Sequence, residues 1–213
     1  MINKNIKIFF GSSIVDFKKE RISVELFIRR ISVLSENRHG IKLTPVFCEN
    51  FDDAVALLRK QDEYNQKLRD SDLSFFIFFT RAGQFTVEEF EIAMESYRER
   101  SKPRVYVYFK NLLAEDEIDQ SLVDFKKRLA ETDNYYSGNF THIDTVKFRI
   151  LLALKQLLKE KIEIKIDSGN CLIYGEKHLS LSNIDEFTHN ENLQKIRSEL
   201  EEDIKLISSS MDE

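Results

Sequence analysis

The sequence predicts a doubly wound α/β fold, a five-stranded parallel sheet with helices on both faces, followed by a smaller appendage. Three observations predict it. Short β-forming apolar runs alternate with stretches of helical periodicity from residue 6 to about residue 160. The connections between them are short, as in repeated βα crossover units. One run, Leu73-Ser74-Phe75-Phe76-Ile77-Phe78-Phe79, is apolar almost throughout, the pattern of a strand covered on both faces.

The elements follow in order. Ile6-Lys7-Ile8-Phe9-Phe10 is the first strand. A helix runs from about Asp16 to Leu34, with Val24, Phe27, Ile28, Ile31 and Leu34 at helical spacing. Ile41 to Phe47 is the second strand, and Pro45 places it at an edge or a strand end. Residues 52–69 are helical, with Asp52 and Asp53 favourable at the amino end. Leu73–Phe79 is the third strand. Thr86 is an N-cap candidate with Glu89 as its capping-box partner, which predicts a helix over 87–100. Val105 to Phe109 is the fourth strand, 118–131 a helix, 135–140 a short fifth strand, and Ile143–Lys159 a closing helix.

Five strands of this kind most often take the flavodoxin-like order 2-1-3-4-5, in which ligands bind beyond the carboxyl ends of strands 1 and 3. Those ends are Phe10-Gly11-Ser12-Ser13 and Thr80-Arg81-Ala82-Gly83-Gln84-Phe85. After residue 160 the pattern changes. Ile162–Ile166 and Cys171–Tyr174 alternate around the turn Asp167-Ser168-Gly169-Asn170, which predicts a β-hairpin. A polar loop and a charged helix at about 190–207 follow. The expected division is therefore 1–160 as the main domain and 161–213 as an appendage or connector.

Composition excludes several classes. Hydrophobic residues make up 42% and charged residues 32%, enough for a real core. Six Gly and two Pro argue against a low-complexity chain. The amino-terminal apolar run is too short for a signal peptide, and no stretch approaches a membrane span. Cys48 and Cys171 have no metal spacing and read as free thiols of a cytoplasmic protein. The net charge of −5 argues against constitutive nucleic-acid binding. The charge is uneven: residues 1–45 carry nine Lys/Arg against four Asp/Glu, and residues 191–213 three against seven. Solvated helix faces account for this; head-to-tail attraction between copies is the sharper alternative.

The chemistry concentrates in residues 72–93. Phe85 stands four residues ahead of Glu89, so both can face one crevice at the edge of a buried strand. A carboxylate there can stabilise positive charge as a glycosidic bond breaks, and an aromatic can stack on a departing base. Capping alone would account for Glu89, and core packing for Phe85. Gly11 permits close backbone approach, and Ser12 and Ser13 offer hydroxyls and N–H groups near a helix start. The loop matches neither G-x-G-x-x-G nor a P-loop. His39, His142, His178 and His189 are scattered, and no Ser lies in G-x-S-x-G context, so Ser-His-Asp catalysis is poorly supported.

These residues resemble the TIR domain, in particular the bacterial branch linked to phage defence. The resemblance covers roughly residues 5–160. It rests on Ile8–Ser13, Asp16, Glu20-Arg21, Asp72, Phe85–Ala93 and Lys102-Pro103. Phe85, Glu89, Phe90 and Ala93 fill the places where enzymatic members carry an aromatic, the catalytic Glu, an apolar and a small residue; Phe stands here for the usual Trp. The resemblance implies an NAD⁺ glycohydrolase, or a cyclase, that releases nicotinamide and needs no cofactor beyond NAD⁺ as substrate. Glu89 would be catalytic, and Phe10, Gly11, Ser12, Ser13, Arg81 and Phe85 would bind substrate. The connection 44–53, with Pro45, Phe47, Glu49 and Phe51, corresponds to the loop that members use for assembly. Self-association through TIR–TIR contacts is implied as the activating step, and no sensor region is recognisable in the chain. Two alternatives stay open: a non-catalytic TIR adaptor, and a nucleoside deoxyribosyltransferase-like enzyme with Glu89 as nucleophile.

Overall fold

The structure, a computed structural model, describes residues 4–47, 60–131, 137–158, 165–166, 171–174 and 177–181. The chain divides into two compact units, 1–139 and 140–213.

In the first unit, β1 (Lys4–Ser12), β2 (Ile41–Val46), β3 (Leu73–Phe78) and β4 (Arg104–Lys110) alternate with α1 (Ile14–His39), α2 (Lys60–Arg69), α3 (Gln84–Arg100) and α4 (Gln120–Glu131). With β5 (Ser137–Phe140) they form one sheet in the order β2-β1-β3-β4-β5. β1 pairs parallel with β2 and β3, and β3 parallel with β4. This is the flavodoxin-like α/β arrangement expected. The order reverses between β1 and β3, so a crevice opens beyond their carboxyl ends.

Aromatic rings explain how the sheet is filled. Side chains alternate along a strand, so Phe9 and Phe10 point to opposite faces. On one face Phe9, Phe76, Phe90, Phe125 and Phe78 touch in sequence at centroid distances of 5.8, 5.6, 5.3 and 4.6 Å. Residues of α2, α3 and α4 complete that cluster. On the other face Phe10 stacks on Phe47 at 5.3 Å, and α1 lies against it through Arg21, whose guanidinium sits 5.4 Å from the Phe47 ring. All six residues of β3 are buried. β2 is an edge strand, which tolerates Pro45 within it.

Local signals set the ends of the elements. Ser13 caps α1, accepting from the Asp16 N–H at 3.3 Å, and Gly40 closes it in the left-handed region (φ 64°). Asp72 pins β3 at its start. Its carboxylate accepts from the Lys7 N–H at 2.8 Å and pairs with Lys102 at 2.7 Å, while its own N–H donates to the Lys7 carbonyl at 2.9 Å.

The second unit contains α5 (Ile143–Leu158) and an antiparallel sheet of β6 (Lys165–Ile166), β7 (Cys171–Tyr174) and β8 (Lys177–Ser180) in the order β6-β7-β8. The expected hairpin is therefore three-stranded: β8 stands where a polar loop is expected, pairing Cys171 with Ser180 and Tyr174 with Lys177. The helix expected at 190–207 lies outside the described residues. No described helix is long and apolar enough to cross a membrane.

Candidate functional site

A cleft of about 420 Å³ lies where β1 and β3 end, lined by the end of β1 and start of α1, by Arg21 further along α1, by Tyr64 of α2, and by the β3–α3 connection with the first turns of α3. Among its lining residues are Ser12, Ser13, Arg81, Phe85 and Glu89. Five of the seven expected ligand-contacting residues therefore border one space.

Glu89 owes its position to the helix it sits on. α3 begins at Gln84, with Gly83 as its N-cap and no side-chain cap bond. Thr86 is thus inside the helix and buried, which corrects the expected capping box. The physical reason lies in the preceding connection. The Ala82 N–H donates to Ser121 Oγ at 3.1 Å and the Asp119 N–H donates to the Thr80 carbonyl at 2.9 Å, so the chain is already turned before Thr86. Glu89 is then the sixth residue of the helix, beyond the unpaired N–H groups of its first turn. Its side chain is 6% exposed, whereas Phe85, one turn earlier, is 61% exposed.

The neighbouring acids are engaged elsewhere. Asn65 donates to Glu88 at 3.2 Å, tying α2 to α3, and Glu91 pairs with Arg128 at 2.9 Å. Glu89 is the carboxylate of the three that borders the cleft. Gly11 makes room for it: a Cβ at position 11 would lie 2.6 Å from the Phe76 ring and 3.1 Å from Glu89 Oε2. Glycine here is a requirement of close approach between β1 and the carboxylate.

Two arginines border the same cleft. Arg81 grips Asp16 with two contacts, Nη2 to Oδ1 at 3.1 Å and Nε to Oδ2 at 3.4 Å. Arg21 is 2% exposed, and its Nη1 donates to the Ser12 carbonyl at 3.1 Å and to Ser12 Oγ at 2.8 Å. These bonds tie α1 to the carboxyl end of β1. Beside the Arg81 connection, hydrogen bonds from Ser121 hold the Asp119 carboxyl below its ordinary range.

Some expected residues lie elsewhere. Phe10 is fully buried and stacked on Phe47, because alternation along β1 turns it away from the face that carries Phe9. It belongs to the core. Phe47, expected in an assembly loop, is 1% exposed between Phe10 and Arg21 and is likewise a core residue. Pro45 is half-buried in β2 opposite Ile8. Glu49, Phe51 and Cys48 lie outside the described residues.

Arg21 and Tyr64 are among the cleft residues that the sequence does not mark as site residues. A signal existed for Arg21: it occupies a buried phase of α1 together with Phe17, Val24 and Ile28, so a charge stands on an apolar stripe. Tyr64, one turn before the buried Leu68, looks in sequence like any core aromatic.

No family model and no curated protein matches the chain. Among solved structures it is similar to the apo form of translation elongation factor SelB from Methanococcus maripaludis, at 16% identity and a TM-score of 0.43. That match covers 79% of this chain and 38% of that one, so this chain spans well under half the length of the elongation factor. Likeness at this level carries no functional argument.

Proposed function

We propose that the chain is a TIR-type NAD⁺ glycohydrolase, acting in bacterial anti-phage defence and activated when copies assemble. One observation carries the reading: Glu89 is a nearly fully buried carboxylate that borders a cleft at the β1/β3 switch point, outside the capping position that would otherwise explain it. Burying a carboxylate is costly, and sites that do so are enriched in function.

The reaction consumes water: NAD⁺ and H₂O give ADP-ribose, nicotinamide and a proton. The C1′–N bond of the nicotinamide riboside breaks, its electron pair leaves with nicotinamide, and the ribose passes through an oxocarbenium-like state. The Glu89 carboxylate, held in a water-poor recess, stabilises that developing positive charge. A cyclase differs only in the nucleophile, an adenine nitrogen in place of water. Phe85, exposed at the rim, offers a ring face to the planar nicotinamide. Ser12 and Ser13 line the turn beside it. Arg81 binds the diphosphate by exchanging its Asp16 partner for phosphate oxygens.

The test is incubation of concentrated protein with NAD⁺, with the products resolved by chromatography and mass. We expect nicotinamide with ADP-ribose or its cyclic form. Glu89→Gln should lower turnover by about 10²–10³ at an unchanged melting temperature. No NAD⁺ loss at any concentration points to a TIR adaptor, and base exchange on deoxynucleosides to a deoxyribosyltransferase-like enzyme; either result overturns the proposal.

A further inference from the structure

Tyr64 is 4% exposed and is the residue that α2 contributes to the cleft. Its ring rests on Phe9 with centroids 4.9 Å apart, and Phe9 in turn rests on Phe76 at 5.8 Å. Phe76 is also the ring that a Cβ at Gly11 would strike, at the point that lies 3.1 Å from Glu89 Oε2. One aromatic floor thus runs beneath both Tyr64 and the recess that holds Glu89. The surrounding cluster includes six Phe, and Tyr64 is the member of it that carries a hydroxyl. That hydroxyl is held on a ring fixed by packing, on a residue that lines the same cleft as a carboxylate and two arginines. A phenol so placed is a neutral donor and acceptor with little freedom left to lose on binding.

We propose that Tyr64 is a substrate-binding residue whose hydroxyl hydrogen-bonds a sugar hydroxyl of a bound riboside, completing from α2 the recess that Glu89 forms from α3. The inference rests on the glycosidic reading of the cleft and names a contact to the sugar. Glu89 then acts on the ribose while Tyr64 holds it. Because the hydroxyl contacts ground state and transition state alike, its removal raises KM and leaves kcat nearly unchanged.

The experiment compares Tyr64→Phe with the parent protein, and Glu89→Gln/Tyr64→Phe with Glu89→Gln. Turnover of NAD⁺ is measured in the first pair and calorimetric affinity in the second. The probes are NAD⁺, nicotinamide riboside, adenosine and 2′-deoxyadenosine. We expect KM and Kd for NAD⁺ to rise about tenfold, with kcat and the melting temperature held. Equal KM and Kd in parent and variant would overturn the proposal, and so would loss of the folded state, which would assign the hydroxyl to the core. If a riboside other than NAD⁺ binds and NAD⁺ is neither bound nor cleaved, the glycohydrolase reading falls. Tyr64 is then judged by the affinity for that riboside. If no riboside binds, both readings fall.

Discussion

A methyl group at position 11 would meet Phe76 at 2.6 Å and Glu89 Oε2 at 3.1 Å, so the floor of the cleft has no slack. Gly11→Ala should therefore cost about 1–3 kcal/mol by overpacking and push the carboxylate from its place. We expect a melting temperature lower by about 2–4 °C per kcal/mol lost, with turnover falling further than stability. An alanine variant with parental stability and activity would remove Gly11 from the site. Phe85 makes the opposite case. It is 61% exposed, so Phe85→Ala should leave the melting temperature nearly unchanged. A base stacked on an aromatic contributes roughly 1–3 kcal/mol, so activity should fall about five- to a hundredfold, while Phe85→Trp keeps or raises it. Equal losses of stability and activity for Phe85→Ala would make the ring structural. At this scale the sequence announced the Phe85–Glu89 pair through its spacing. It misled about Thr86, because the cap is decided by hydrogen bonds to Ser121 and Asp119, some forty residues away. Arg21 was readable as a charge in an apolar phase. Tyr64 was not, since packing and binding ask for the same ring.

The elements themselves were more legible than their ends. β3 is recognisable from its apolar run, because burial on both faces leaves no ambiguity of pattern, whereas β5, Ser137-Gly138-Asn139-Phe140, has no such run. Several ends, such as the start of β3, fall where the sequence puts them; others shift by one to five residues because they depend on contacts between elements, and the expected start of the second helix at residue 52 lies outside the described residues. β1 reaches Ser12, where Arg21 holds the chain, and α1 reaches His39, where Gly40 stops it. β8 was hidden because its residues, Lys177-His178-Leu179-Ser180, are mostly polar, and its partner β7 defines it. Asp72 shows what holds the sheet in register. It joins β1, the start of β3 and Lys102 through one carboxylate and its own backbone. Hydrogen bonds to a charged group contribute roughly 1.5–3 kcal/mol, so Asp72→Ala should lower unfolding free energy by about that amount in urea titration. A loss below about 0.5 kcal/mol, the range of ordinary surface changes, would show that the β1–β3 register does not depend on it. Arg81 and Asp16 form a different kind of pair. With Arg81 43% exposed, its bond should add under about 1 kcal/mol to stability, which leaves it free to exchange partners.

For the whole molecule, the proposed activation by assembly predicts that turnover per molecule rises with protein concentration. If the uneven charge, nine Lys/Arg against four Asp/Glu in residues 1–45 and three against seven in residues 191–213, steers the proposed assembly, the contacts are head-to-tail. Salt should weaken them, since the Debye length shrinks to about 3 Å at 1 M. The measurement is activity over a hundredfold dilution at low and high salt. Constant activity per molecule with a monomeric light-scattering mass would leave a self-contained enzyme. Phe47 is expected to take no part in this. Buried between Phe10 and Arg21, its truncation to alanine should cost about 3–5 kcal/mol whatever the concentration.

The cleft joins two kinds of backbone. Its floor continues into β3, buried at every residue and flanked by strands on both sides; its rim is the Arg81 connection, fastened by a few bonds to Ser121 and Asp119. Amide hydrogens of β3 should exchange only through global unfolding, and those of residues 80–83 through cheap local opening. A ligand can then enter by loosening the rim while the sheet stays closed. Its binding should slow exchange at residues 80–83 by far more than it slows exchange in β3, so the rim records occupancy and the floor records only the stability of the molecule.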